Sequence, residues 1–387
     1  GNKPDGIVST CQDCHMRDVE GRGCNDNQAP VRPDLPLHDL TGGNHFIGDI
    51  LAEFYPGEVD QQQLDDAKQR AIDMLQLAAT LELVPGQAGA NPTVDVKVTN
   101  ETGHKLPSGY PEGRRIWLNV VAYDESQAQV YESGAYDPST GVLTHDPDAK
   151  IYEIKPGISS RLGALVGVTA GPSFHFVLND SVFADNRIPP RGFTNAGFEA
   201  IQSPPVGHAY NDGEYWDTTT YVLPTEARFV EVTLYYQSTS KEYVEFLRDE
   251  NHTNTLGQEL YDAWVAQGRA APVAMVSDTT SVGVSVGVEQ AASPVYPNAL
   301  AQNVPNPFNP RTEIRYSIAV DGPVTLRVYD LSGRLVRTLV HGPQEAGPYR
   351  VAWDGRNDAG RAVAAGVYLY RLETPGYDRV RKAVILQ

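Results

Sequence analysis

The chain has 387 residues, 41% hydrophobic and 21% charged, with 49 acidic against 31 basic side chains and a formal net charge of −18. That negative excess opposes binding to nucleic acid or an anionic membrane surface, and no run of about 18 apolar residues exists to cross a bilayer as a helix. With 35 glycines, 28 prolines and 20 tyrosines beside three methionines and three cysteines, the balance predicts a mainly β, loop-rich chain of two or three domains in which disulfides are not the staple.

Residues 1–57 read as irregular, because glycine, proline and polar residues interrupt every periodic stretch. Within them stands "STCQDCHMRD", in which Cys11, Cys14 and His15 form C-x-x-C-H, the attachment signature of a c-type haem. Two thiols three positions apart can bond the two vinyl groups on one haem edge, which leaves the next residue beneath the iron as proximal ligand. The spacing therefore predicts one covalent haem c on Cys11 and Cys14, with His15 on the metal. Two other readings of a Cys-x-x-Cys pair exist, a redox dithiol and half of a zinc site. A zinc ribbon needs a second pair, however, and only Cys24 remains; a redox dithiol is expected after a strand in a βαβ unit. Cys24 is expected to be a small buried hydrophobe, with a reactive or intermolecular thiol as the alternative. Bacteria attach c-type haem outside the cytoplasm, so export through the periplasm to the cell surface or beyond is expected, and residue 1 is read as a processed end.

Residues 58–85 hold a predicted amphipathic helix over 59–83, with Leu64, Ala67, Ala71, Met74, Leu75, Ala78 and Leu81 at three- and four-residue spacing and Pro85-Gly86 as its stop. From residue 92 the period becomes two. "TVDVKVTN", "RIWLNVVAYD", "SFHFVLND" and "RFVEVTLYYQ" predict half-buried strands of an antiparallel sandwich over 90–276, closed by short helices at 240–249 and 255–267. Residues 277–298 read as a small-residue linker. Over 299–387, short alternating strands with D-G, S-G and A-G turns predict a seven-stranded immunoglobulin-like sandwich without a Cys-Trp-Cys staple.

Two resemblances rest on these motifs. "NVPNPFNPRTEIRYSI", "VYDLSGRLVRTLV" and "WDGRNDAGRAVAAGVYLYRL" resemble the immunoglobulin-like domain of flagellar hook-capping proteins and of the sorting domain of type IX secretion cargo, which implies a secreted or surface-held protein. "CQDCHM", "LPLHDLTGGNHF", "TGHKLPSGYPEGRRIWLNV", "SFHFVLND", "DNRIPPRGF", "YWDTTTYVLP" and "LYYQSTSKEYVEFLRDEN" resemble the C-terminal part of extracytoplasmic multihaem c-type cytochromes. That likeness implies electron transfer through closely spaced haems, commonly with two histidines on each iron. This chain departs from it in carrying a single attachment motif.

Met16 adjoins His15 and cannot reach round the ring, while Met74 and Met275 are expected elsewhere, so a histidine is the better distal ligand. His38 is the first choice, 23 positions after His15 in a segment able to fold over the haem and within a "PLHD" string that matches the resemblance; Asp39 or a backbone carbonyl would orient its other ring nitrogen. His104 in "TGHKLP" is second and His45 third. His175, between Phe174 and Phe176, reads as structural. Arg114 and Arg115 in "PEGRR", with Arg187 and Arg191 in "DNRIPPRG", are candidate partners of the haem propionates, against ordinary ion pairing. Asp146 with Asp148, and Asp212 with Glu214 and Asp217, are candidate Ca2+ ligands, although neither group has full EF-hand spacing.

The functional expectation is a secreted c-type cytochrome transferring electrons outside the cell. A compact chain of this length has a radius of gyration of roughly 20 Å, so conduction over longer distances would need haems of neighbouring copies or other cytochromes to meet, and a homo-oligomer or filament is expected. The alternatives are a structural surface or filament subunit in which the haem is mainly a covalent staple, and a small-oxidant reductase with an open iron position. An electron carrier is expected before an enzyme.

Overall fold

The computed structural model describes residues 10–110, 112–283 and 298–386, in two compact units, 1–283 and 284–387. The chain is mainly β, as the alternating stretches predict.

In the first unit, strands Val273–Ser281, Phe229–Gln237, Arg115–Tyr123 and Gln129–Ser133 form one antiparallel sheet, with Ile151–Tyr152 added beside Arg115–Tyr123. Strands Trp216–Val222, Asn91–Asn100 and Ala79–Ala88 form a second. Every second residue of the central strands faces a shared core: Val94, Val96 and Val98 from one sheet, Leu118, Val120, Val232 and Leu234 from the other. Leu118 lies opposite Leu234 and Val120 opposite Val232, so period-two alternation sets the register directly. Helices Lys241–Asp249 and Leu256–Ala266 follow and share a smaller core with Ile47–Phe54 around Val244, Trp264, Phe46 and Ile50.

Several expectations are corrected. The helix expected over 59–83 runs only from Gln61 to Leu75, and Ala79–Ala88 is a strand. Leu81 and Leu83 alternate toward the sandwich core, and Pro85 is tolerated because this strand lies at a sheet edge. "SFHFVLND" is not a strand. Local turns capture it: Ser173 Oγ accepts the His175 N–H, and Phe176–Leu178 is a 3-10 turn. Residues 1–57 are less irregular than expected, since Asp18–Arg22 pairs with Val31–Pro36 and Ile47–Phe54 is helical. Met275 belongs to the sandwich core, and Cys24 is exposed. Of the expected linker 277–298, residues 277–281 complete a strand and 284–297 lie outside the described residues.

In the second unit, a sheet of Ala299–Leu300, Thr312–Ile318 and Gly347–Trp353 and a sheet of Leu335–Gln344, Gly322–Asp330, Gly366–Thr374 and Tyr377–Ile385 enclose one core. Trp353 is buried between Phe308 and Tyr368. Tyr370 reaches across to donate to the Ala301 carbonyl and accept the Asn303 N–H.

Candidate functional site

Cys11–His15 forms a five-residue helix. The Asp13 carboxylate accepts the Thr10 N–H at 2.8 Å, which closes its N-terminal end. Buried Met16 terminates it, its N–H donating to the Gln12 carbonyl at 2.9 Å. At i and i+3, Cys11 and Cys14 share one helix face, and both are exposed free thiols.

Thr41 grips His15 from both sides of its peptide. The Thr41 N–H donates to the His15 carbonyl at 2.9 Å, and the Thr41 carbonyl accepts from His15 Nδ1 at 2.5 Å. That bond places the proton on Nδ1 and leaves Nε2 as the ring's acceptor nitrogen. Facing this ring is His104, with centroids 6.3 Å apart and planes 27° from parallel. Its Nδ1 lies 3.2 Å from both the Lys105 carbonyl and Thr102 Oγ1, while Nε2 lies 3.5 Å from Ser108 Oγ. Burial, reinforced by the His15 ring and Arg187, lowers the His104 pKa and favours the neutral imidazole.

The turn bearing His104 is tied down twice. Asn100 Nδ2 lies within 3.0 Å of the His104, Ile188 and Pro189 carbonyls, and Asn100 Oδ1 accepts from the Thr102 N–H and hydroxyl. Lys105 Nζ reaches Asp185 at 2.7 Å, and Arg187 grips the same carboxylate through Nε and Nη2, each at 2.8 Å. Asp185 is 2% exposed and Lys105 5%. None of Thr41, Asn100, Lys105 and Asp185 was singled out by the motifs, and Arg187, a propionate candidate, is engaged by Asp185; the signal available was polar residues abutting the apolar strands in "TGHK" and "DNR".

The other candidates fall elsewhere. His38 is exposed and its ring makes no hydrogen bond among the described residues, while neighbouring Asp39 accepts from Arg17 Nε at 2.6 Å. His45 is buried, its Nε2 held by the Ala271 carbonyl at 3.0 Å. Arg114 Nη1 donates to the Ser108 carbonyl at 2.6 Å, close to His104, and its Nε is buried without a partner among the described residues. Arg115 is held by Gln237 at 3.0 Å and Glu242 at 3.3 Å. His175 packs edge-on against Phe246. Of the acidic candidates, Asp146 and Asp212 accept loop N–H groups, Asp148 accepts the Tyr131 hydroxyl, and Asp217 pairs with Lys150. Among the described residues, no three His, Cys, Asp or Glu side chains converge to hold a metal ion by themselves.

Residues 312–376 match the FlgD Ig-like domain family, so the second unit carries such a domain. No curated protein matches the chain. Among solved structures, a penta-haem cytochrome c552 from Thermochromatium tepidum is 18% identical over 71% of this chain, with a TM-score of 0.40. The chain spans 48% of that protein's length. FlgD from P. aeruginosa is 24% identical over 19% of this chain and 60% of its own, with a TM-score of 0.17. Dimeric latent PorU from Porphyromonas gingivalis is 13% identical over 80% of this chain and 20% of its own, with a TM-score of 0.23.

Proposed function

We propose that the chain is an exported c-type cytochrome whose single haem is bonded to Cys11 and Cys14 and ligated by His15 and His104, and that it carries electrons outside the cell. The observation that carries this reading is the pairing of the two rings. A metal held by one nitrogen of each ring, at a bond of about 2 Å and with roughly 1 Å from nitrogen to ring centre, would need ring centroids about 6 Å apart. The observed 6.3 Å fits that arrangement. Both Nδ1 atoms face backbone carbonyls, which would orient the rings for ligation through Nε2, with only a 3.5 Å contact of His104 Nε2 to Ser108 Oγ to displace; this is the division of labour typical of ligating histidines. The two exposed thiols stand on the helix that carries His15.

Haem would supply one-electron chemistry at this place. The protein's part is to hold two neutral imidazoles in fixed orientation, so that little rearranges between oxidation states. Arg114, whose Nη1 reaches the carbonyl of Ser108 beside His104, is the propionate contact we retain; Arg115 turns to Gln237 and Glu242. The geometry favours His104 over His38 and His45 as distal ligand. With both imidazoles on the iron, no position would be left for a small oxidant, so the ring pair supports electron transfer over reduction of such a molecule. Because His15 lies in the N-terminal arm and His104 in the sandwich, the same haem would also staple one to the other. The FlgD Ig-like unit is assigned to surface retention or assembly with other copies.

Intact mass of the protein exported from a host with c-type maturation tests the attachment. One haem per chain is expected, lost in the C11S/C14S double variant; apoprotein from the unsubstituted chain would refute the reading.

A further inference from the structure

We infer that Asp185, remote in sequence and not itself a ligand, is a positioning residue for His104, and that the charge set Lys105–Asp185–Arg187 biases the iron toward its reduced state. The inference rests on the proposed His15–His104 ligation and goes beyond it. The carbonyl facing His104 Nδ1 belongs to Lys105, so the orientation of the ring depends on how the Lys105 main chain is held. Its side chain is anchored at the far end by Asp185 at 2.7 Å, in a site where both groups are nearly solvent-free. Asp185 is itself immobilised, by the two-point grip of Arg187 and by backbone pairing with Val206, whose N–H and carbonyl both bond it.

Buried ion pairs are weak contributors to stability compared with apolar packing, and their best-attested use is to specify one geometry. This one has a fixed address, the residue next to the ligand. It also carries two cations against one carboxylate. The surplus positive charge in a low-dielectric setting stabilises the less positive iron state, and removing the carboxylate increases that surplus.

The test uses full-length exported protein in four forms: unsubstituted, D185N, D185E and H104A. Low-spin fraction, carbon monoxide binding, midpoint potential and melting by circular dichroism are read for each. In D185N we expect a folded protein with a carbon-monoxide-reactive fraction absent from the unsubstituted chain. Added imidazole should return that fraction to low spin. The midpoint potential of the low-spin population should rise, and D185E should restore both properties in part. If D185N melts lower but keeps the original spectrum, potential and indifference to carbon monoxide, while H104A becomes reactive, the role of Asp185 is purely structural and the inference fails with the ligand reading intact. If H104A behaves like the unsubstituted protein, or no haem is attached, the ligand reading fails and the inference falls with it. Should D185N not fold, K105M, which leaves Asp185 paired with Arg187, carries the same expectations for spin state and carbon monoxide and the same criteria for failure.

Discussion

Asp217 sits within reach of three partners, Lys150 Nζ at 2.8 Å, the Tyr152 hydroxyl at 2.9 Å and His208 Nε2 at 3.1 Å. Burial alone would raise its pKa, but Lys150 and Tyr152 more than offset that and hold the carboxyl below its usual range. Asp185 follows the same pattern, with Arg187 and Lys105 overcoming desolvation. For both, the folded-state pKa lies below the unfolded value of about 3.9. The stability they contribute is therefore complete above that value and lost as pH falls through the folded pKa. Replacing Asp217 by Asn strands the Lys150 ammonium, and a loss of about 3–5 kcal/mol in denaturant unfolding is expected. His45 acts in a higher window. Burial lowers its pKa, and protonation would place a charge on Nδ1, which is buried without a partner among the described residues. The unfolded chain then takes up the proton first as pH drops below about 6.5, so stability declines from there downward. In H45Q the melting temperature should vary less between pH 6.5 and 5 than in the unsubstituted protein.

At the scale of elements, the two kinds of signal in the sequence were legible to different degrees. Alternation was reliable where both faces of a strand have a neighbour to choose: Phe229–Gln237 and Arg115–Tyr123 lie where Val232, Leu234, Leu118 and Val120 predict. It misled at "SFHFVLND", where Phe174 packs on Tyr243 and Phe246 but Phe176 is exposed beside Tyr110, and turn hydrogen bonds take the backbone. Three- and four-residue spacing was equally deceptive past Leu75, because Leu81 satisfies a helical stripe and a strand alternation alike. The C-x-x-C-H string is contiguous and could be read directly. Its facing histidine could not be ranked first, since the contact of His15 with His104 spans most of a hundred residues and exists only after the sandwich has formed. One glycine is demanded by the fold near this site. Gly113 has φ +71°, and an added Cβ would lie 2.7 Å from Tyr243 Cβ, at the start of helix Lys241–Asp249. Gly113→Ala should cost roughly 1–3 kcal/mol, read as a lowered urea midpoint with unchanged slope.

Across the whole molecule, the chain joins a unit with a candidate redox site to one that carries a FlgD Ig-like domain. The second unit has its own buried core around Trp353, Tyr370 and Leu326, so residues 299–387 expressed alone should unfold in one cooperative transition; a featureless melt would contradict its independence. Electron transfer asks something different of the first unit. In the proposed reading, His15 and His104, which arrive from distant parts of the chain and face each other, would both hold the iron. Visible absorption of the reduced protein, before and after carbon monoxide, tests that claim most directly in the unsubstituted, H38A and H104A proteins. We expect a low-spin spectrum indifferent to carbon monoxide in the first two and a carbon-monoxide-reactive, high-spin iron in H104A. A reactive iron in the unsubstituted protein, or one that becomes reactive in H38A and not in H104A, would contradict that claim.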